Sequence, residues 1–165
     1  HELRVYVGSR TGRAHLRSLL TALSGVHAMG RTAPALALRR AIDLLRTRGA
    51  IAVISDLYED EDGVDAELRR AARIGHDVTV FHLLTADEIE WPWRGDVELE
   101  DSETGQRVLT SAGAATAYRQ QLAAFIARWR DRCSSQGIHY VLARTDEAPS
   151  HVLRGWLLQR SRLGR

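Results

Sequence analysis

The chain has 165 residues, a formal net charge of +2 and 44% hydrophobic residues, enough apolar material for one globular domain with a sizeable core. All 23 of its basic residues are arginine, against 21 acids, and so small an excess does not argue for a nucleic-acid partner even with a pI near 9.1, so none is expected. A single cysteine, Cys133, excludes an internal disulfide framework, and no apolar run reaches the length that spans a bilayer.

From the amino end, Leu3 to Val7 alternates apolar and polar residues like a half-exposed strand, broken by Gly8 to Gly12. A helix is predicted next, with His15, Leu16, Leu19, Leu20 and Leu23 on one face and Gly25 as its stop. After a loop from Val26 to Ala33, Pro34 suits a first helical turn, and Leu38, Ile42 and Leu45 recur at helical spacing up to Gly49. Ile51 to Asp56 then reads as a buried parallel strand. Asp62 is the expected cap of a helix carrying Val64, Leu68, Ala71, Ala72 and Ile74, closed by Gly75.

Asp77 to Leu84 is a second buried strand, which completes a βαβ unit with parallel strands. Trp91-Pro92-Trp93 falls in a loop, and Val97 to Leu99 with Arg107 to Leu109 forms a hairpin around the turn-prone Ser102-Glu103-Thr104-Gly105. The longest helix carries Tyr118, Leu122, Phe125, Ile126, Trp129 and Cys133 on one stripe. Gly137 precedes a third buried strand, Ile138 to Ala143, and a last helix holds Val152, Leu153, Trp156 and Leu157. Strand and helix alternate throughout, so the class is α/β with a mainly parallel, Rossmann-like sheet, flanking helices and a late β-hairpin insertion.

The chemistry points to the end of the Ile51 strand. Its apolar run stops at Ser55-Asp56 and passes into an acidic block of Glu59, Asp60, Glu61 and Asp62, so Ser55 and Asp56 are delivered to the carboxyl edge of the sheet, where open α/β sheets bind ligands. Either residue is equally suited to capping the next helix. Other enzyme signatures fail on spacing. Gly8 to Arg13 lacks the glycine interval and Lys-Ser/Thr end of a phosphate cradle, and Arg69 stands where a calcium loop at Asp60, Asp62 and Gly63 needs glutamate. The seven histidines form no His-x-x-x-His pair, Ser55 lies in no nucleophile elbow, and Cys133 sits on an apolar helix stripe where burial makes a thiol inert. Trp91 and Trp93 either form an exposed recognition patch or cover the hairpin base.

Gly30-Arg31-Thr32 before a helix, Ile54-Ser55-Asp56 at a strand end, Gly75 to Val78 into the next strand, Asp87-Glu88 with Trp91-Pro92, the Glu100 to Gly105 turn, and Gly137 to Val141 leading to Thr145-Asp146 together carry a resemblance. The chain resembles the later part of a von Willebrand factor type A domain, and more closely the bacterial domain-of-unknown-function family fifty-eight. The resemblance implies that residues 1–165 are a single type A-like domain lacking its amino-terminal strand. It also implies a metal-ion-dependent adhesion site in complete members, where Thr32 would be the second-loop ligand and Asp56 the later carboxylate, both hard oxygen donors suited to magnesium. The Asp-x-Ser-x-Ser motif of such sites is absent from these residues and would lie upstream of His1, so the site is expected to be a remnant and no cofactor is expected in this chain.

The function expected is a non-catalytic protein-interaction module working with MoxR-type AAA+ ATPases, as the family resemblance implies, with Ser55, Glu59, Asp60, Trp91 and Trp93 as its candidate interaction surface. The alternative is a magnesium-dependent hydrolase or phosphoryl-transfer enzyme using Asp56 and nearby acids. The strand missing from the type A pattern would leave an open edge beside Ile51 to Asp56, so a homodimer is a further expectation. A cytoplasmic setting with no membrane contact from these residues is expected, any anchor lying upstream.

Overall fold

The computed structural model describes residues 7–8, 10–26, 33–93, 95–100, 105, 107–110 and 113–162. In chain order they form α1 (Arg13–Ser24), α2 (Pro34–Leu44), β1 (Ala50–Ser55), α3 (Glu61–Ile74), β2 (Asp77–Leu84), α4 (Ala86–Glu90), β3 (Val97–Glu100), β4 (Arg107–Thr110), α5 (Ala114–Ser135), β5 (His139–Arg144) and α6 (Pro149–Arg162). Strands β1, β2 and β5 make a parallel sheet in the order β1-β2-β5, and β3 pairs antiparallel with β4 as a hairpin. The architecture is the Rossmann-like α/β class that the sequence pattern predicts. Two compact units can be distinguished: His1–Gly49 with Leu57–Gly75, and Ala50–Asp56 with His76–Arg165.

In the first unit α2 packs on α3. Ile42 on α2 and Val64, Leu68 and Ala71 on α3 are buried. Glu67 is buried with them, and its carboxylate accepts 2.7 Å from Arg39 and 2.8 Å from Arg70, which in turn reaches Asp43 at 2.8 Å. Burial alone would raise the pKa of Glu67, but the two guanidinium hydrogen bonds outweigh it and hold the carboxyl below its usual range. The helix start differs from expectation. Asp60, not Asp62, caps α3, accepting from the Gly63 N–H at 3.2 Å, while Glu61 and Asp62 occupy the first turn, where the helix dipole favours acids. Gly75 closes α3 with φ 98°, a left-handed conformation that a side chain would strain.

The second unit is built on β2. Successive residues of a strand point to opposite faces, so Phe81, 5.6 Å from Trp156 of α6, and His82, 5.4 Å from Phe125 of α5, set these helices on opposite sides of the sheet. The α5 stripe of Leu122, Phe125, Trp129 and Cys133 is buried, as its spacing predicts. With a strand on each side and a helix on each face, β2 is buried at Val78, Thr79, Val80, Phe81, His82 and Leu84.

β1 is not the buried strand expected. None of its residues is buried, and burial alternates along it. Ile51, Val53 and Ser55 lie in register with Val78, Val80 and His82 on the α5 side and are half-buried, whereas Ala50, Ala52 and Ile54 are exposed, Ile54 to 66%. The cause is pairing: among the described residues β1 has β2 on one side and no strand on the other. Residues 3–6 of the expected first strand lie outside the described residues, and Val7 carries no regular structure.

Two boundaries also shift, and one helix is new. α2 ends at Leu44, with Leu45 extended. α5 begins at Ala114, one turn before Tyr118. The short α4 was not anticipated, although Thr85 and Glu88 form a capping box at its start: the Thr85 hydroxyl accepts from the Glu88 N–H, and the Glu88 carboxylate accepts from the Thr85 N–H.

Candidate functional site at the sheet edge

Six residues of parallel ladder with β2 carry β1 to its end at Ser55, and Asp56 follows at the carboxyl edge, exposed. The Ser55 hydroxyl donates to Asp56 Oδ1 at 3.4 Å, a long bond between neighbours. The next residue, Leu57, is held at φ 62°, and Asp60 at φ 50°. Such left-handed geometry costs a non-glycine residue roughly 1–2 kcal/mol. For Leu57 the side chain is only 2% exposed, and burying it recovers an amount of the same order, about 2 kcal/mol.

Beside Ser55 in register, β2 places His82, whose ring is fully buried. Its Nδ1 lies 2.6 Å from the Tyr140 hydroxyl on β5, and the Tyr140 ring meets it edge-on at 5.8 Å. Nε2 makes no hydrogen bond of normal geometry, although the Asp56 backbone lies close enough to favour the protonated ring. Burial lowers the pKa of His82, and the Asp56 backbone and the carboxylates of Asp56 and Glu88 oppose that only in part. Burial likewise pushes the Tyr140 phenol up to about 12. Both groups are therefore neutral near pH 7, and they join the sheet edge to its interior through a short polar link. Metal-ligand spacing gives His82 no role in the sequence; its one local signal is a lone His in an apolar strand, in alternation with Val80 and Leu84.

Trp91 and Trp93 form a second feature of this unit. Trp91 ends α4 at φ 48°, is 7% exposed, and lies 4.6 Å from the Tyr118 ring and 5.2 Å edge-on from Trp93. Arg119 donates to the carbonyls of Glu90 at 3.1 Å and Trp91 at 3.5 Å. Arg144 joins Glu90 at 2.7 Å to Asp146 at 2.8 Å, and its hydrogen bonds hold the Asp146 carboxyl below its usual range. Trp91 is thus an anchored core residue, while Trp93 remains 37% exposed.

The residues singled out from sequence are distributed as follows. Ser55 and Asp56 stand together at the end of β1, and Trp91 and Trp93 stand together after α4. Glu59 and Asp60 belong to the first unit and are exposed, Asp60 serving as the α3 cap. Thr32 lies outside the described residues. Among the described residues no group of three or more His, Cys, Asp or Glu side chains converges as a metal site would require. One exposed carboxylate with a serine hydroxyl is a poor match for the oxygen cage of a resident cation.

A parallel sheet with helices on both faces and a polar pair at its carboxyl edge defines a Rossmann-like α/β domain. Within that class the chain belongs to a family described as "Protein of unknown function DUF58", whose model matches residues 1–132. No curated protein and no solved structure matches the chain.

Proposed function

We propose that this chain is a non-catalytic protein-interaction module of the von Willebrand factor type A-like class, working with a MoxR-type AAA+ ATPase. The observation that carries the reading is the outer side of β1. A strand of composition Ala-Ile-Ala-Val-Ile-Ser ends beside Asp56 with Ile54 exposed to 66%, and none of the usual protections of an edge, such as Lys, Pro or an inward charge, lies within it. An extended segment of a partner can add to such an edge through backbone hydrogen bonds, with Ile54 and Asp56 supplying one apolar and one charged contact. A second copy of the chain is the simplest strand donor when no other partner is present, and a twofold dimer closes both edges.

Thr32 and Asp56 are in this reading the remnant of an adhesion-type site, and magnesium binds the isolated chain weakly. Calorimetry with magnesium is expected to give no saturable heat. Micromolar binding abolished by Asp56→Ala would replace the remnant with a working metal site. The main test is binding of a purified MoxR-type ATPase to the chain, read by surface plasmon resonance. Ile54→Lys and Asp56→Arg are expected to weaken that binding at least about tenfold, as hot-spot substitutions do. Magnesium-dependent turnover of a phosphate ester that Asp56→Asn abolishes would overturn the non-catalytic reading. Light scattering over a dilution series reads the dimer, and a monomeric mass at every concentration would remove it.

A further inference from the structure

α1 presents a different surface. Not one of its residues is buried. Leu16, Leu20 and Leu23 follow each other at intervals of four and three, a single stripe, and are exposed to 55%, 57% and 68%. A helix of 12 residues is marginal in water by itself, so a stripe of this kind is normally stabilised by what it lies against. The charge identifies the covering surface. Between Leu3 and Ile42 the sequence has no Asp or Glu, and Arg10, Arg13 and Arg17 fall at or just before the start of α1 and within it. At 100° per residue, Arg13 and Arg17 lie on one flank of the leucine stripe, and both are exposed.

Against the expectation of no membrane contact, we propose that α1 is a peripheral contact for an anionic lipid surface, with Leu16, Leu20 and Leu23 entering the headgroup boundary and Arg10, Arg13 and Arg17 meeting lipid phosphates. An arginine at the border of an apolar stripe can lay its stem along the acyl boundary and keep its guanidinium among the phosphates. At roughly 1.5 Å per residue the helix is about 18 Å long, too short to cross a bilayer and sufficient to lie in its surface. An acidic groove on a protein would also offer negative charge, but it would have to match a stripe whose two flanks differ, arginine on one and His15 with Ala22 on the other. A lipid surface adapts to both. This contact is independent of the β1 edge, which lies in the other unit.

The test is co-sedimentation of the whole chain with vesicles of phosphatidylcholine containing phosphatidylglycerol, against vesicles of phosphatidylcholine alone. The chain is expected to pellet with the anionic vesicles only, and added salt is expected to release it. Arg13→Gln with Arg17→Gln should lower the partition coefficient by about tenfold or more, since each arginine near an anionic surface contributes on the order of 1 kcal/mol. Leu16→Ser with Leu20→Ser should abolish pelleting while far-UV circular dichroism stays unchanged, and Leu20→Ser alone should reduce it should the double variant unfold. Equal partition onto both vesicle types, failure of the chain to bind anionic vesicles, or full binding by a folded leucine variant would each overturn the proposal. So would capture by an acidic protein in the absence of any lipid binding.

Discussion

β1 and β2 are built from nearly the same material and end up in opposite environments. Both are apolar runs of six to eight residues, paired in register over six positions, and both read in sequence as buried parallel strands. β2 is buried over most of its length, while β1 has no buried residue. The difference is what lies on the far side: β2 has β5 there and a helix on each face, and β1 among the described residues has no strand. Apolar composition makes a strand fit to be covered, and topology decides whether anything covers it.

Truncating side chains on the two strands should give the largest contrast. Leu84→Ala, at a site 1% exposed, is expected to cost about 3 kcal/mol, as buried leucine-to-alanine changes do. Ile54→Ala should change stability by about 0.5 kcal/mol or less, typical of exposed positions. Chemical denaturation reads both, and equal losses would mean that β1 is covered in solution.

A second contrast is in acid. His82 on β2 is buried with a lowered pKa, facing Tyr140 and Phe125 with the Asp56 and Glu88 carboxylates near. Its unfolded value is 6.5, so the folded chain binds fewer protons than the unfolded chain below that point. The stability that His82 contributes is therefore complete above 6.5 and is lost as pH falls through 6.5 toward the folded value. Melting curves above and below 6.5 should show this loss in the parent chain and a flatter profile in His82→Gln. An unchanged slope around 6.5 would assign the acid sensitivity to other groups; the contribution of Glu67 is lost at lower pH, as pH falls from 4.5 toward its lowered folded value.

The smallest expected effect is in amide exchange. Amides of β2 bonded into the ladder should be protected at least about tenfold more than those on the outer side of β1, because local opening is easiest where backbone groups meet water. Comparable protection would reveal a partner strand on β1, whether from the same chain or another.

Much of the fold was legible because its signals are local. The Pro34 start, the Gly25 and Gly75 stops, the α5 stripe and the run into Asp77 each depend on a few adjacent residues, and each appears where the pattern predicts. Burial of β1 was not legible, since it depends on strand order. The α3 cap slipped by two residues because a run of five acids, Glu59 to Asp62 and Asp65 around Gly63, offers several carboxylates of equal propensity, and backbone geometry at Asp60 makes the choice. α4 escaped attention because five residues are too few for periodicity, though its capping box was written in Thr85 and Glu88. In the candidate site, Asp56 was visible as the polar end of an apolar run. His82 was not, since its place beside Ser55 follows from a register that no single segment encodes.

Cys133 is the sole cysteine of the chain, and at 1% exposure on α5 it is shielded by the packing of the second unit. The molecule therefore carries its own chemical clock. A thiol reagent that reacts only when α5 lifts records the opening of this layer at one site, with no substitution introduced. Slow alkylation that keeps pace with global unfolding would mark the α5 layer as the last part of the unit to loosen, and the same reaction run with vesicles or with a partner present would show whether an event at α1 or β1 is felt there.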